Sequence, residues 1–579
     1  TQSMIRVINH DYFCYSFALV LGSLLAFLPV ITKILPDFDG VIPVFTNSVI
    51  YSILLIFWLL STRSKHALLQ VNKVDACFIL YLCYGVLKIL FHPSHFDPLI
   101  VCEWFGLAII YILVRLLDAK VLGMLNASLI LGGTIQAFVG ILQYFNLFAS
   151  NNTFFKITGT FANPGHLGGF LALSAIVSLL TWREKGFSFK GKNILLPSVL
   201  FLQILVLVAS NSRAAWLAVI IPILFLLTKK YSILYRKWGM KLFSLILVLA
   251  LCIGLYYYKQ ASADVRVLTW KSSLLMISDA PVFGHGIGSF AANYMPYQAR
   301  YLENHPGSFS LIADNNLIAF NEFIHLTCEQ GMVGLLLFTC LLALAFANAT
   351  KVKYKLTSYF ALMVLLVFAL FSYPASIFPI KICFPLFIGI LARDRKALVR
   401  FHLKNWQTVS IIMIIILGTT FNIRTYLVYN QAYHSLNNGK YLQQKFYDYS
   451  AMKHDKKFLY LLSEQYLRHN LFEESIKVKK QLAKIAPTSN LLCDLGMLYL
   501  HKNELDSALD CFLHARAMTP NHVQPIYGLW LIAKTKNETD ERIKLSLEII
   551  SKPFRVVNSI VLKARKEAKE YLKEQNTFL

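Results

Sequence analysis

Apolar runs of membrane-spanning length recur along the first 424 residues, and that recurrence restricts the fold more than any single motif. A run of about 17–25 residues with few charges has the length of a transmembrane helix. Thirteen are expected, at about 12–35, 44–60, 76–91, 99–117, 121–145, 165–182, 194–210, 212–228, 239–258, 317–347, 357–373, 376–392 and 407–423. The first is too long for a signal-peptide core and lacks a small-residue cleavage site, so it counts as a span. Unpaired backbone groups are costly in lipid, so such runs become helices. The expected class is all-α, with a polytopic membrane domain of about 12–13 spans.

Composition agrees: 56% of the 579 residues are hydrophobic and only 15% charged, against about 25% charged in an average soluble domain. The 43 Phe and 29 Tyr argue against disorder. A formal charge of +25 would suggest nucleic acid in a soluble protein. On an apolar chain it marks cytoplasmic loops, and no nucleic-acid partner is expected. With the N-terminus inside, the inner connections hold 23 Lys and Arg and the outer ones 7. The long connection 259–316 then faces outward, to the periplasm if the bilayer is a bacterial inner membrane.

After residue 424 charges of both signs return, and 425–579 reads as a separate soluble domain. Leu495, Gly496, Tyr499, Ala508, Phe512, Ala515 and Pro520 fall at the offsets of a tetratricopeptide repeat, which 489–522 resembles. A step of 33 residues back meets Leu462, Tyr466, Ser475 and Pro487, and another meets Tyr433 and Leu442. A step forward meets Leu529 and Pro553. An α-solenoid outside the membrane is expected, able to hold a protein partner. Cys493 and Cys511 fall on neighbouring helices of one repeat, as a disulfide or as packed thiols. No C-x-x-C and no metal-ligand spacing occurs, so neither metal nor cofactor is expected.

Four outward segments carry more pattern than a connector needs. They are Thr158–His166 with Asn163-Pro164, then Ser212-Arg213-Ala214-Ala215-Trp216, then Arg266 to Tyr294, then Asn321-Glu322-Phe323 with Glu329-Gln330-Gly331. The third includes Arg266, Trp270, Pro281 and Gly284, Gly286 and Gly288. Those glycines lack the preceding strand of a dinucleotide fingerprint, so a tight turn is expected. In this order the segments resemble the O-antigen ligase superfamily, over roughly residues 120–400. It includes O-antigen ligases, Wzy-type polymerases and bacterial protein O-oligosaccharyltransferases.

The resemblance implies a GT-C-like, metal-independent inverting glycosyltransferase of the outer leaflet. Its donor is a glycan on polyprenyl (undecaprenyl) pyrophosphate, and its acceptor lipid A core, protein Ser/Thr or another glycan. A departing pyrophosphate collects negative charge, which fixed guanidinium groups stabilise. Arg213 and Arg266 align with the two arginines the family uses so; otherwise Arg213 snorkels to headgroups and Arg266 is ordinary loop charge. The family's usual base is a His directly before the Asn of Asn321-Glu322, and here that position is Phe320. Glu322 is the first replacement, His325 the second and Asp314 the third. Otherwise Asn321 or Glu322 only orients the acceptor hydroxyl. Glu322 also reads as a helix-start carboxylate and His325 as a packed histidine. Asn321, Asn163 and Trp270 are supporting residues. Lys88 and Glu103, inside spans three and four, read as functional groups or as a structural pair.

Two other classes compete. A transporter predicts polar residues spread through broken helices in two related halves, and these polar motifs concentrate on one side. A membrane-tethered repeat scaffold leaves the outward arginines without a role.

Overall fold

The computed structural model describes residues 2–34, 41–62, 68–92, 97–117, 121–184, 194–230, 238–307, 309–347, 355–393, 395–437, 452–554 and 557–575. The chain opens with α1 (Gln2–Ile34) and α2 (Val41–Thr62). Asn72 starts α3 (Lys73–Phe91) by a reciprocal cap: its side chain accepts from Val74 and Asp75, and Asp75 accepts from the Asn72 N–H. Asp97 and Pro98 start α4 (Pro98–Leu116), since proline pre-sets the first helical φ and needs no donor. Then come α5 (Leu122–Tyr144), α6 (Pro164–Glu184), α7 (Leu195–Ala209) and α8 (Arg213–Lys230).

Next are α9 (Trp238–Tyr258), α10 (Gln260–Asp279), α11 (Phe290–Asn304), α12 (Glu322–Phe346), α13 (Leu356–Phe371), α14 (Cys383–Ala392) and α15 (Asn405–Asn437). Strand β1 (Leu68–Val71) pairs antiparallel with β2 (Val399–His402), Leu69 opposite Phe401. That ribbon ties the entry of α3 to the chain between α14 and α15. Beside it Arg115 Nε meets Asp75 Oδ1 at 2.7 Å, and the Tyr111 hydroxyl donates to the same oxygen at 2.6 Å.

Every expected run falls mainly on helix, although 317–321 precede the helix that starts at Glu322. Six helices (α3, α4, α5, α6, α12 and α15) are long and apolar enough to cross a membrane. The pair Leu245–Tyr258 and Gln260–Asp279, bent by 106°, adds a seventh if it is one span. Shorter apolar helices occupy Cys14–Val30, Ser48–Leu60, Leu195–Ala209, Arg213–Leu227, Leu356–Phe371 and Phe378–Ala392. The protein is an all-α polytopic membrane protein. Helix α6 lies at its centre against α5, α7, α8 and α13. Small residues permit this, because a Cβ at Gly133 would strike Ser174 and one at Gly168 would lie 2.6 Å from the Ser212 Cβ. Polar side chains reinforce it: Gln203 Nε2 donates to Ser174 Oγ at 3.0 Å, and Ser178 Oγ to Gln203 Oε1 at 3.0 Å.

The connection 259–316, expected as a long loop, is largely helical. Phe290, Tyr294, Met295, Tyr301 and Leu302 are buried along one side of α11, and that amphipathic period drives it to fold. Lys88 and Glu103 do not pair with each other: Lys88 Nζ points to the Gly284 carbonyl at 3.4 Å, and Glu103 Oε2 meets Lys381 Nζ at 2.7 Å.

Helix α15 continues past its span to Asn437. Beyond it lie α16 (Lys456–Arg468), α17 (Phe472–Ile485), α18 (Ser489–His501), α19 (Leu505–Met518), α20 (Val523–Lys536), α21 (Thr539–Ser551) and α22 (Ser559–Glu574). Successive helices pack on one another. A Cβ at Gly496 would lie 2.7 Å from the Phe512 ring, which is how the small residues allow close approach. Cys493 and Cys511 are free thiols. Leu442 lies outside the described residues.

Candidate functional site

The site grows from a break in α12. At Gly331 the backbone leaves the helix (φ 67°, ψ −171°), freeing polar groups on both sides. The turn after α10 takes them up: Met332 N–H donates to the Pro281 carbonyl at 2.9 Å and Val333 N–H to the Val282 carbonyl at 3.2 Å. In return His285 and Gly286 N–H donate to the Cys328 and Glu329 carbonyls, each at 2.9 Å. Gly284, Gly286 and Gly288 all have positive φ, as a turn this tight against another backbone demands. The expected turn is therefore the splint of the broken helix.

The turn of α12 before the break carries the candidate bases. Asn321 caps the helix, its side chain accepting from Phe323 N–H at 2.9 Å and Ile324 N–H at 3.1 Å. Glu322 follows, half-buried, with Oε1 accepting from the Ala375 N–H at 2.7 Å. One turn on, His325 stacks on Phe290 at 4.7 Å and meets Glu329 Oε1 through Nε2 at 3.3 Å. Glu329 also accepts from the Phe290 N–H at 3.2 Å.

Helix α10 faces this segment with two residues four apart, hence on one face. Trp270 Nε1 donates to the Ala319 carbonyl at 3.0 Å, while the Arg266 guanidinium lies over the Phe320 ring at 5.5 Å. Phe320 adopts φ 52°, an outlier for a bulky residue that persists only where its surroundings hold it. Its ring also meets Tyr373 edge-on at 5.6 Å, and the Tyr373 hydroxyl is 3.2 Å from His166 Nε2.

Arg213 begins α8 and is buried. Its Nη1 donates to the Leu255 carbonyl at 2.5 Å and the Lys259 carbonyl at 3.2 Å, closing the bend between α9 and α10. Burial, and after it the like charge of Arg213, push the Arg266 guanidinium below its usual value. Arg266 makes no hydrogen bond or ion pair among the described residues, and no carboxylate pairs with Arg213 there. Guanidinium groups without a carboxylate partner are chemically suited to an anion.

The structure thus brings Arg266, Phe320 and Trp270 together, with Glu322 at the adjoining cap, His325 one turn behind it and Arg213 at the bend that starts α10. Asp314 stands elsewhere, with Oδ1 3.4 Å from His522 Nε2 of the C-terminal helices. Asn163 begins α6, accepting from the Gly165 N–H at 2.7 Å, and so presents His166. Sequence reasoning missed His166 and Tyr373, although His166 ends the quoted Thr158–His166 segment. Among the described residues no cluster of His, Cys, Asp or Glu could hold a metal ion.

No curated protein and no solved structure matches the chain. A family model described as O-antigen ligase matches residues 198–339, which run from α7 into α12 and hold both arginines, Phe320, Glu322 and the Gly331 break. The match to that part of the chain supports its place in the O-antigen ligase superfamily.

Proposed function

We propose that this protein transfers an oligo- or polysaccharide from undecaprenyl pyrophosphate to an acceptor on the periplasmic side of a bacterial inner membrane. The acceptor is lipid A core or a protein Ser/Thr hydroxyl. The observation that carries the reading is that two outward arginines, Arg213 at the bend of α9 and α10 and Arg266 over the Phe320 ring, have no carboxylate partner among the described residues. The acceptor oxygen attacks the anomeric carbon from the face opposite the phosphate. The C–O bond to phosphate breaks, and the pyrophosphate lipid leaves with both electrons. Arg266 and Arg213 take the developing charge, acting where it is larger than in the ground state. The acceptor proton passes to Glu322, the half-buried carboxylate at the start of α12, and no metal enters the step.

A Wzy-type polymerase runs the same chemistry with a glycan hydroxyl as acceptor. Glycan profiling of a deletion strain separates the activities: loss of lipopolysaccharide ladders, of glycoprotein or of long chains each names one acceptor. An unchanged profile in all three overturns the reading. Residues 425–579 serve in it as a tetratricopeptide-like domain that holds a protein acceptor or pathway partner.

Removing a general base costs about 10²–10⁴-fold in rate. Glu322→Gln keeps the hydrogen bond from Ala375 available and removes the proton acceptor, so the turnover number falls within that range while donor binding holds. His325→Asn costs less, since His325 is already engaged with Glu329. Wild-type turnover in Glu322→Gln moves the base to His325.

A further inference from the structure

Residues 313–319, immediately before Phe320, have no regular secondary structure. Yet they deliver the strained Phe320 and the cap of α12. They are pinned from two sides. On the membrane-domain side Trp270 holds the Ala319 carbonyl, and Asn316 Nδ2 donates to Thr269 Oγ1 at 3.0 Å. The second set of bonds comes from the turns between the C-terminal helices. Asn521 Nδ2 donates to the Leu311 carbonyl at 3.1 Å and to the Pro553 carbonyl at 3.2 Å. Asn315 Oδ1 accepts from the Ser489 N–H, the first residue of α18, at 2.7 Å. Gln298 Nε2 of α11 bridges the Asp314 carbonyl at 3.1 Å and the Met518 carbonyl at 2.8 Å. Apolar packing follows the same line, with Met518 in one cluster with Met276, Phe290, Tyr294, Met295, Ala319 and Cys328.

We infer that the C-terminal helical domain is a working part of the transferase site: Asn315 and Asn521 are positioning residues that clamp segment 311–319 and so hold Phe320 under Arg266 and set the cap of α12 that carries Glu322. The inference rests on the proposed roles of Glu322 and Arg266. Displacement of a reacting group by about 1 Å can cost about 10²-fold in rate, and the clamp lies a few residues from that group. A domain that only recruited partners would have no reason to bond the backbone leading into the catalytic helix.

The two asparagines make opposite demands. Asn315 is used as an acceptor at the N-terminus of α18, so Asn315→Asp keeps the bond and suits the helix dipole. Asn521 is used as a donor to two carbonyls, so Asn521→Asp loses both bonds and sets a carboxylate against carbonyl oxygens.

The test uses the full chain in proteoliposomes, with turnover, donor KM and hydrogen exchange of the amides in 311–321 measured together. Asn315→Leu and Asn521→Asp should each lower kcat about tenfold to a hundredfold, leave the donor KM unchanged and speed exchange across 311–321. Asn315→Asp should keep wild-type values in all three. Faster exchange with unchanged kcat overturns the positioning role, and unchanged exchange overturns the clamp. Asn315→Asp as defective as Asn315→Leu also overturns it. A wild-type protein without transfer activity refutes the proposed function alone, because exchange still reports on the clamp.

Discussion

Arg266→Ala should fold as the wild type does and lose transfer by about 10²–10³-fold, the usual cost of removing one preorganised donor from a developing anion. The separation of folding from activity follows from the environment of the guanidinium. Arg266 bonds to no acceptor among the described residues, and it sits where a second arginine repels it. Removing it gives up one contact with the Phe320 ring and relieves a repulsion between like charges, so thermal stability should hold or rise. Arg266→Lys keeps the charge but not the planar fork that meets two phosphate oxygens at once, and its activity should fall between the two. Arg213→Ala behaves differently, because it also removes the bonds to Leu255 and Lys259 at the bend of α9 and α10. It should lose both stability and activity. Equal amounts of protein, a polyprenyl-pyrophosphate glycan and product quantified on gels make the comparison. Full activity in Arg266→Ala would end the pyrophosphate role of this pair.

The apolar helices were legible because lipid demands apolar residues on nearly every side of a helix, and uniform runs such as 99–116 advertise that in one dimension. Helix α11 was not, since it meets protein and water together. Its apolar residues recur at helical period among Gln298, Arg300 and Glu303, with Pro296 inside, and such a stretch reads as a connector. The arginines stood out because each belongs to a short local motif with a tryptophan: Arg266 and Trp270 share one face of α10, and Arg213 and Trp216 begin α8. Tyr373 and His166 were missed because 207 residues separate the partners of that bond. No window of sequence contains both. Asp314 was readable as an acid near the start of α12, but its neighbour His522 arrives from the C-terminal domain. The fold sets that carboxylate beside the C-terminal helices, which no local reading of 310–325 could show. The left-handed φ of Phe320 has no sequence signal, although the departure from the family's histidine had already marked the position.

Gly331→Ala should be the most damaging single substitution in the outer region. The native φ and ψ there lie in a region that is essentially reserved for glycine. An added Cβ would also collide with the Val282 carbonyl, while the Gly284 nitrogen would lie only 2.6 Å from it. Neither obstacle is the flexible end of a side chain, so the neighbours cannot yield without parting the turn 281–286 from α12. Backbone strain alone costs about 1–3 kcal/mol, and the bonds at Met332, Val333, His285 and Gly286 would be lost with the displacement. The turn of α12 that carries Glu322, His325 and Glu329 is aimed by this junction, so transfer should fall below detection even in protein that survives purification. Gly254→Ala, where the new methyl meets nothing within 4 Å, is the matched control and should keep wild-type melting temperature and turnover. Thermal unfolding in detergent together with turnover decides the matter. A Gly331→Ala protein as stable and active as Gly254→Ala would show that α12 does not need its break. The broken helix would then be incidental to the site, instead of the joint that turns its outer end toward the two arginines.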